Sequence, residues 1–219
     1  MEKLKLAVLV SGRGSNLQAL IDACSIPSFP AEIVLVISNK PDAHGLIRAE
    51  DAGIPTLCID HKNYESRTEF DAQMTIAMTT AGTELVCLAG FMRLLSDEFC
   101  AHWHDCMINI HPSLLPSFKG LDVQQAALDA GVRLSGCTVH YVRPEMDSGP
   151  IIIQAAVPIL ADDTADSLAE RILVEEHKIY PEAVRLIADG RVTIVEDCAR
   201  ILDHTAPTHA LVNPALRSG

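Results

Sequence analysis

The stretch Ile108-Asn109-Ile110-His111-Pro112 opens as an apolar run and closes on polar side chains. Side chains alternate along an extended chain, so Asn109 and His111 share one side while Ile108 and Ile110 share the other. An amide that can donate a hydrogen bond and an imidazole that can carry a proton would then face one cleft together. Pro112 and Pro116 stiffen the chain as it leaves, by fixing φ and restricting the residues before them. A lone histidine at a strand end is more often a hydrogen-bonded structural residue than a catalyst, so a second polar feature has to weigh in. Asp147, just ahead of Ser148-Gly149-Pro150, is that feature. A carboxylate in this setting either serves the turn or faces the cleft, where it would favour an imidazolium at position 111. Spacing leaves both readings open.

Near the N-terminus, Ser11-Gly12-Arg13-Gly14-Ser15-Asn16 follows an apolar run and opens a helical pattern. Backbone N–H groups and the positive helix end make such a loop an anion site, with phosphate as the natural guest. Gly12 and Gly14 begin like a dinucleotide fingerprint, but Leu17 stands where its third glycine belongs. Ser38-Asn39-Lys40 also lacks the acidic residue that would hold a ribose of NAD. Both absences argue against a nicotinamide cofactor. The same residues would equally serve a tight turn with Ser15 as the helix cap, and the loop alone does not choose.

Other polar groups read more simply. His102, His104 and Asp105 cluster locally, yet no further ligand set completes a metal site, so a solvated helix end is expected. His140 alternates with Val139 and Tyr141 on a strand and reads as structural. Glu175, Glu176 and His177 lie in a helical stretch where surface charge is the default. His204 and His209 fall in the tail.

These residues need a frame. Short β-branched runs at 4–10, 31–38, 54–59, 84–90 and 106–110 alternate with helical patterns at 15–24, 44–52, 66–81 and 96–102. Such alternation predicts a parallel sheet with helices on both faces. After 120 the pattern changes to a helix near 121–130, then two strands at 135–142 and 150–157 added as a hairpin-like pair. A long helix from about 164 to 189 carries Leu168, Ile172, Ile179, Ala183 and Leu186 at helical spacing, before a last turn and a short strand. The expected organisation is one domain over 1–202, with a phosphate-binding half (1–105) and a second half (106–202), and a loosely ordered tail over 203–219.

At 219 residues and 48% hydrophobic, the chain can bury a sizeable core. Its net charge of −12 opposes nucleic acid and anionic lipid surfaces, so a bound phosphate needs a local pocket. Seven cysteines without a C-x-x-C pair read as reduced thiols in a cytosol. The short N-terminal apolar run leads straight into the glycine loop and resembles a first strand more than a signal peptide. No segment is long enough to span a bilayer.

Taken in order, "SGRGSNLQAL", "SNKPDAHGL", "LAGFMRLLS", "INIHPSLLPSFKG", "GCTVHYV", "MDSGPIIIQ" and "EEHKIYP" resemble the phosphoribosylglycinamide formyltransferase family over about residues 4–200. The His-Pro-Ser-Leu-Leu-Pro core belongs to a wider formyltransferase superfamily, and the Gly-Ser-Asn loop and "EEHKIYP" point to this member.

The resemblance implies an α/β, Rossmann-like, mostly parallel sheet with helices on both faces and an antiparallel C-terminal addition. It implies a cytoplasmic enzyme of purine biosynthesis, monomer or homodimer, passing a formyl group from the co-substrate 10-formyltetrahydrofolate to the amine of glycinamide ribonucleotide without a metal. By the same carry-over Asn109 donates to the oxyanion, His111 as imidazolium stabilises it and relays a proton, and Asp147 keeps His111 charged. Gly14, Ser15 and Asn16 match the ribonucleotide phosphate site, and Glu176 the residue holding the ribose hydroxyls. Folate is expected against Met92, Arg93, Leu94, Leu95 and Asn109, with Arg67 near its glutamate tail and Arg143, Pro144, Glu145, Met146 and Asp147 closing over the pteridine. One departure stands out: Gln124 occupies a position where the family usually has histidine.

Related enzymes fit less well. Methionyl-tRNA formyltransferase would add a basic RNA-binding domain, and formyltetrahydrofolate hydrolase an N-terminal regulatory one. A non-catalytic nucleotide-binding module would have lost the polar trio, and all three residues are present.

Overall fold

Leu4–Val10 is the first strand, β1, and five of its seven residues are closed to solvent. Burial on both faces explains the unbroken apolar run, because a parallel strand between two helical layers has no wet side. In a computed structural model describing residues 2–203 and 205–215, the remaining elements follow in order. They are α1 (Ser15–Cys24), β2 (Ala31–Ser38), α2 (His44–Asp51), β3 (Thr56–Cys58), α3 (Arg67–Thr80), β4 (Leu85–Leu88), α4 (Asp97–His102) and β5 (Met107–His111), with a 3₁₀ turn at His61–Asn63. Then come α5 (Val123–Asp129), β6 (Leu134–Tyr141), β7 (Ile151–Pro158), α6 (Ala165–Ala188), β8 (Val192–Val195) and β9 (Cys198–Ile201). His204 and residues 216–219 lie outside the described residues.

The sheet runs β3-β2-β1-β4-β5-β6-β7. β1 to β5 pair in parallel, and β6 and β7 join antiparallel, as the change of pattern after 120 predicts. The strand order reverses between β1 and β4, so the crevice outside their carboxyl ends is where a ligand is expected.

Alternation sorts β1 between two cores. Leu6, Val8 and Val10 pack with α1, α5 and α6 through Leu17, Leu20, Ala127, Leu168, Ile172 and Ala183. Ala7 and Leu9 face the other layer, where Phe70, Met74 and Met78 of α3 meet Phe99 and Cys100 of α4. Each fully buried side chain of this kind contributes about 1.5–3 kcal/mol of transfer free energy. The five apolar positions expected along the long helix are all buried.

One feature departs from expectation. The single last strand is a β8–β9 hairpin forming its own two-stranded sheet. Its turn places Glu196 and Asp197 at positive φ, without the Gly or Asn that normally signals such a turn. Within the tail, the Asn213 side chain donates to the carbonyls of Arg133 and Ile159 at 2.6 and 2.8 Å, fastening that residue beside the start of β6 and the end of β7. Of the cysteines, Cys87, Cys100 and Cys137 are core thiols, whereas Cys58, Cys106 and Cys198 are exposed; all seven are unpaired. No helix among the described residues is long and apolar enough to cross a membrane.

Candidate active site

β5 delivers Asn109 and His111 to its carboxyl end, on the face their alternation predicts. Antiparallel pairing sets Asn109 directly opposite His140 of β6, and the Asn109 Nδ2 lies 3.3 Å from the His140 Nε2. The His140 Nδ1 faces only acceptors, the Tyr141 carbonyl at 2.8 Å and the Ser148 carbonyl at 3.2 Å, so that nitrogen carries the proton. Its Nε2 is then bare and accepts from the Asn109 amide, whose second N–H remains to be given elsewhere. Burial pushes the His140 pKa below its ordinary 6.5, in keeping with a neutral ring. His140 is therefore more than packing: it orients Asn109.

His111 is 5% exposed. Its Nδ1 lies 3.5 Å from an Asp147 carboxylate oxygen, and its Nε2 donates to the Phe118 carbonyl at 2.9 Å. Each ring nitrogen thus has an acceptor beside it. The second Asp147 oxygen accepts the Gly120 N–H at 2.7 Å, so one carboxylate ties its own loop to the chain that follows His111. Asp147 thus faces the cleft, from a left-handed backbone at φ 47. Among the described residues, no three His, Cys, Asp or Glu gather to hold a metal.

The 143–147 segment divides. Pro144, Glu145 and Met146 are exposed, while the Arg143 guanidinium turns to Asp105 at 2.8 Å and Asp197 at 2.6 Å. Val142 N–H bonds the Met107 carbonyl, which puts Arg143 beside the start of β5, opposite the end that carries His111. The Arg143 side chain anchors the segment; it does not join the trio.

The glycine loop lacks the helix cap that one of its two readings placed at Ser15. Gly14, not Ser15, is the N-cap of α1, in left-handed backbone at φ 70, and no side chain caps the helix. Among the described residues nothing accepts from the N–H groups of Arg13, Gly14, Ser15 or Asn16. Four free donors at one helix start are a setting in which an anion can be held. Asn16 is buried and donates from Nδ2 to Glu176 at 2.7 Å. Glu176 is 6% exposed, so the surface-charge reading of that residue is corrected. Its position on the inner face of α6, one turn before fully buried Tyr180, explains why. Burial raises the Glu176 pKa, and the Asn16 bond and the charge of His111 lower it in turn. The loop, Glu176 and His111 therefore share one electrostatic environment.

Beyond the switch point, Met92 and Leu94 stand exposed and Leu95 is half-buried against the second core. Arg93 and Arg67, at the start of α3, are exposed and both act on the buried carboxylate of Asp71. Ser11 joins this wall to the loop: its hydroxyl donates to Asn39 Oδ1 at 2.6 Å and accepts the Met92 N–H at 2.8 Å. Gln124 is half-buried at the second position of α5.

Sequence reasoning passed over the support beneath the trio. The Thr138 hydroxyl donates to the Ser113 carbonyl at 2.7 Å and accepts the Leu115 N–H at 3.1 Å and Gln154 Nε2 at 2.9 Å. Gln154 also donates to the Leu115 carbonyl at 2.9 Å. Thr138 pairs opposite His111, and a polar residue at a buried strand position was the available signal.

An open α/β sheet with an amide, an imidazole and a carboxylate at one strand exit, beside an uncapped helix start, defines an enzyme site that can stabilise an oxyanion next to a bound anion. Comparison with known proteins gives the same class a family. The formyl transferase family matches residues 4–184. Phosphoribosylglycinamide formyltransferase of Escherichia coli (strain K12) is 42% identical over 196 residues, covering 90% of this chain and 92% of that protein. The trifunctional purine biosynthetic protein adenosine-3 of Gallus gallus is 53% identical over 194 residues, but the chain spans only 19% of its length. The crystal structure of glycinamide ribonucleotide transformylase 1 from Symbiobacterium toebii superposes with a TM-score of 0.90 at 49% identity, covering 92% of this chain and 95% of that one. The chain belongs to the formyl transferase family, in its phosphoribosylglycinamide formyltransferase branch.

Proposed function

We propose that the chain transfers the formyl group of 10-formyltetrahydrofolate to the amine of N1-(5-phospho-D-ribosyl)glycinamide, giving the N2-formyl product and tetrahydrofolate. The observation that carries this reading is the convergence of Asn109, His111 and Asp147 at the exit of β5, beside the free N–H groups of residues 13–16. The amine attacks the formyl carbon, a C–N bond forms, and charge develops on the formyl oxygen. The free N–H of Asn109, oriented by His140, donates to that oxygen. His111, set between two acceptors, supplies positive charge and relays the amine proton towards the departing N10 of the folate. Asp147 holds His111 charged and in place. Collapse of the oxyanion breaks the bond to N10 and releases tetrahydrofolate.

The acceptor's phosphate takes the N–H groups of the loop at Gly14, Ser15 and Asn16, and Glu176 takes the ribose hydroxyls. The donor lies against Met92, Arg93, Leu94 and Leu95, with Arg67 at its glutamate tail and the backbone of 143–147 over its pteridine. The seven unpaired cysteines suit a reducing cytoplasm. Thermal shift tests the two-substrate reading directly: the ribonucleotide and the folate should each raise Tm when added alone. A rise with the ribonucleotide and none with folate would leave a nucleotide-binding module instead.

A further inference from the structure

The loop over residues 12–16 takes its direction from α2. Gly45, in the first turn of α2, donates its N–H to the Gly12 carbonyl at 3.0 Å. Arg48, one turn further, donates from Nε to the Arg13 carbonyl at 3.0 Å. In a planar trans peptide the C=O and the N–H of one unit point opposite ways. Holding those two carbonyls against α2 therefore turns the N–H groups of Arg13 and Gly14 away from it. The Gly14 carbonyl accepts the Gln18 N–H at 3.0 Å, which faces the Ser15 N–H out of the helix start in the same manner. The Arg48 fork has a second use: Nη1 donates to Gln18 Oε1 at 3.1 Å, binding the loop to the first turn of α1. The fit is close, since a Cβ on Gly14 would stand 2.7 Å from the Gly45 Cα and 3.5 Å from the Arg48 Cδ.

We propose that Arg48 is a positioning residue for the acceptor's phosphate, clamping the Arg13 carbonyl so that the loop presents its N–H groups as a preformed anion nest. This rests on the reading of the loop as the ribonucleotide phosphate site. Preformed donors cost little reorganisation on binding, so loosening the clamp weakens the ligand the nest holds and spares chemistry at β5. Charge alone does not do this work, because the guanidinium is spent on two acceptors in a fixed geometry that an ammonium cannot copy.

The test compares glycinamide ribonucleotide with its dephosphorylated nucleoside as acceptors, for wild type, Arg48→Met and Arg48→Lys. The wild type prefers the phosphorylated acceptor. Arg48→Met raises the ribonucleotide KM about tenfold or more, equivalent to about 1.4 kcal/mol, and narrows the preference by the same factor. Its kcat and folate KM stay within about twofold. Arg48→Lys recovers only a minor part of the loss. Gln18→Leu, which keeps the guanidinium and removes one tether, gives a weaker change of the same kind, and covers the case in which Arg48→Met does not fold. Undiminished phosphate preference in Arg48→Met, full recovery by Arg48→Lys, or a joint fall in kcat and both substrates' affinities would each overturn the clamp. A wild type indifferent to the phosphate would instead overturn the loop's assignment, and the clamp with it.

Discussion

At the scale of single residues, the site is built from groups whose partners leave them one task each. The Asn109 amide spends one N–H on His140 and keeps the other. Removing a preorganised donor of this kind costs roughly 2.7–4 kcal/mol of barrier, a factor of about 10²–10³ in turnover. Asn109→Ala should show that loss in kcat with a near-normal fold by circular dichroism, and turnover within about threefold of wild type would remove Asn109 from the mechanism. His140 makes a prediction of another sort. Burial lowers its pKa from 6.5, so below pH 6.5 the unfolded chain takes up a proton that the folded chain resists. Its contribution to stability is complete above pH 6.5 and is lost as pH falls below it. His177 is lowered in the same direction, also by burial. The Tm of the wild type should therefore drop on titration from pH 7.5 to about 5.5, and His140→Asn should flatten that slope in part. An equally steep slope in the variant would contradict the neutral, buried ring.

At the scale of elements, β5 and its antiparallel neighbour decide what the sequence can reveal. The alternation of Ile108, Asn109, Ile110 and His111 was legible because side-chain direction in a strand has period two. The glycine loop was legible as strand, turn and helix, but that Gly14 caps α1 and leaves the donors free depends on the left-handed backbone the loop adopts in the fold. Glu176 was not legible from the helix alone, since its neighbours Glu175 and Lys178 do form a surface pair and local sequence cannot say which turn faces the sheet. The support from β6 and β7 was also hidden, because Thr138 and Gln154 reach the 113–117 turn across 23 to 39 residues of sequence. Their weight can be measured. Thr138→Val keeps the shape but leaves the Leu115 N–H and the Ser113 carbonyl without their hydroxyl, which should cost about 1–3 kcal/mol in denaturant unfolding. It should also lower kcat, because the turn carries the chain from His111 to the Phe118 carbonyl and the Gly120 N–H. An unchanged midpoint and rate would show that the Thr138 hydroxyl does not hold the turn.

At the scale of the whole molecule, one mostly parallel sheet brings the glycine loop and the exit of β5 to the same edge. The reversal of strand order between β1 and β4 opens the crevice, with the anion loop after β1 and the exposed wall after β4. Ser11 bridges them, and β5 lies next in the sheet with Asn109 and His111. A chain of net charge −12 can hold an anionic acceptor here because the loop supplies local donors against the overall field. The central claim is that this cleft joins an acceptor amine to a formyl donor through His111. It is tested most directly by following tetrahydrofolate formation from 10-formyltetrahydrofolate, with and without glycinamide ribonucleotide, for the wild type beside His111→Ala. The account predicts turnover that requires the ribonucleotide and collapses in the variant. Turnover that needs no acceptor, or a variant as fast as the wild type, would contradict it.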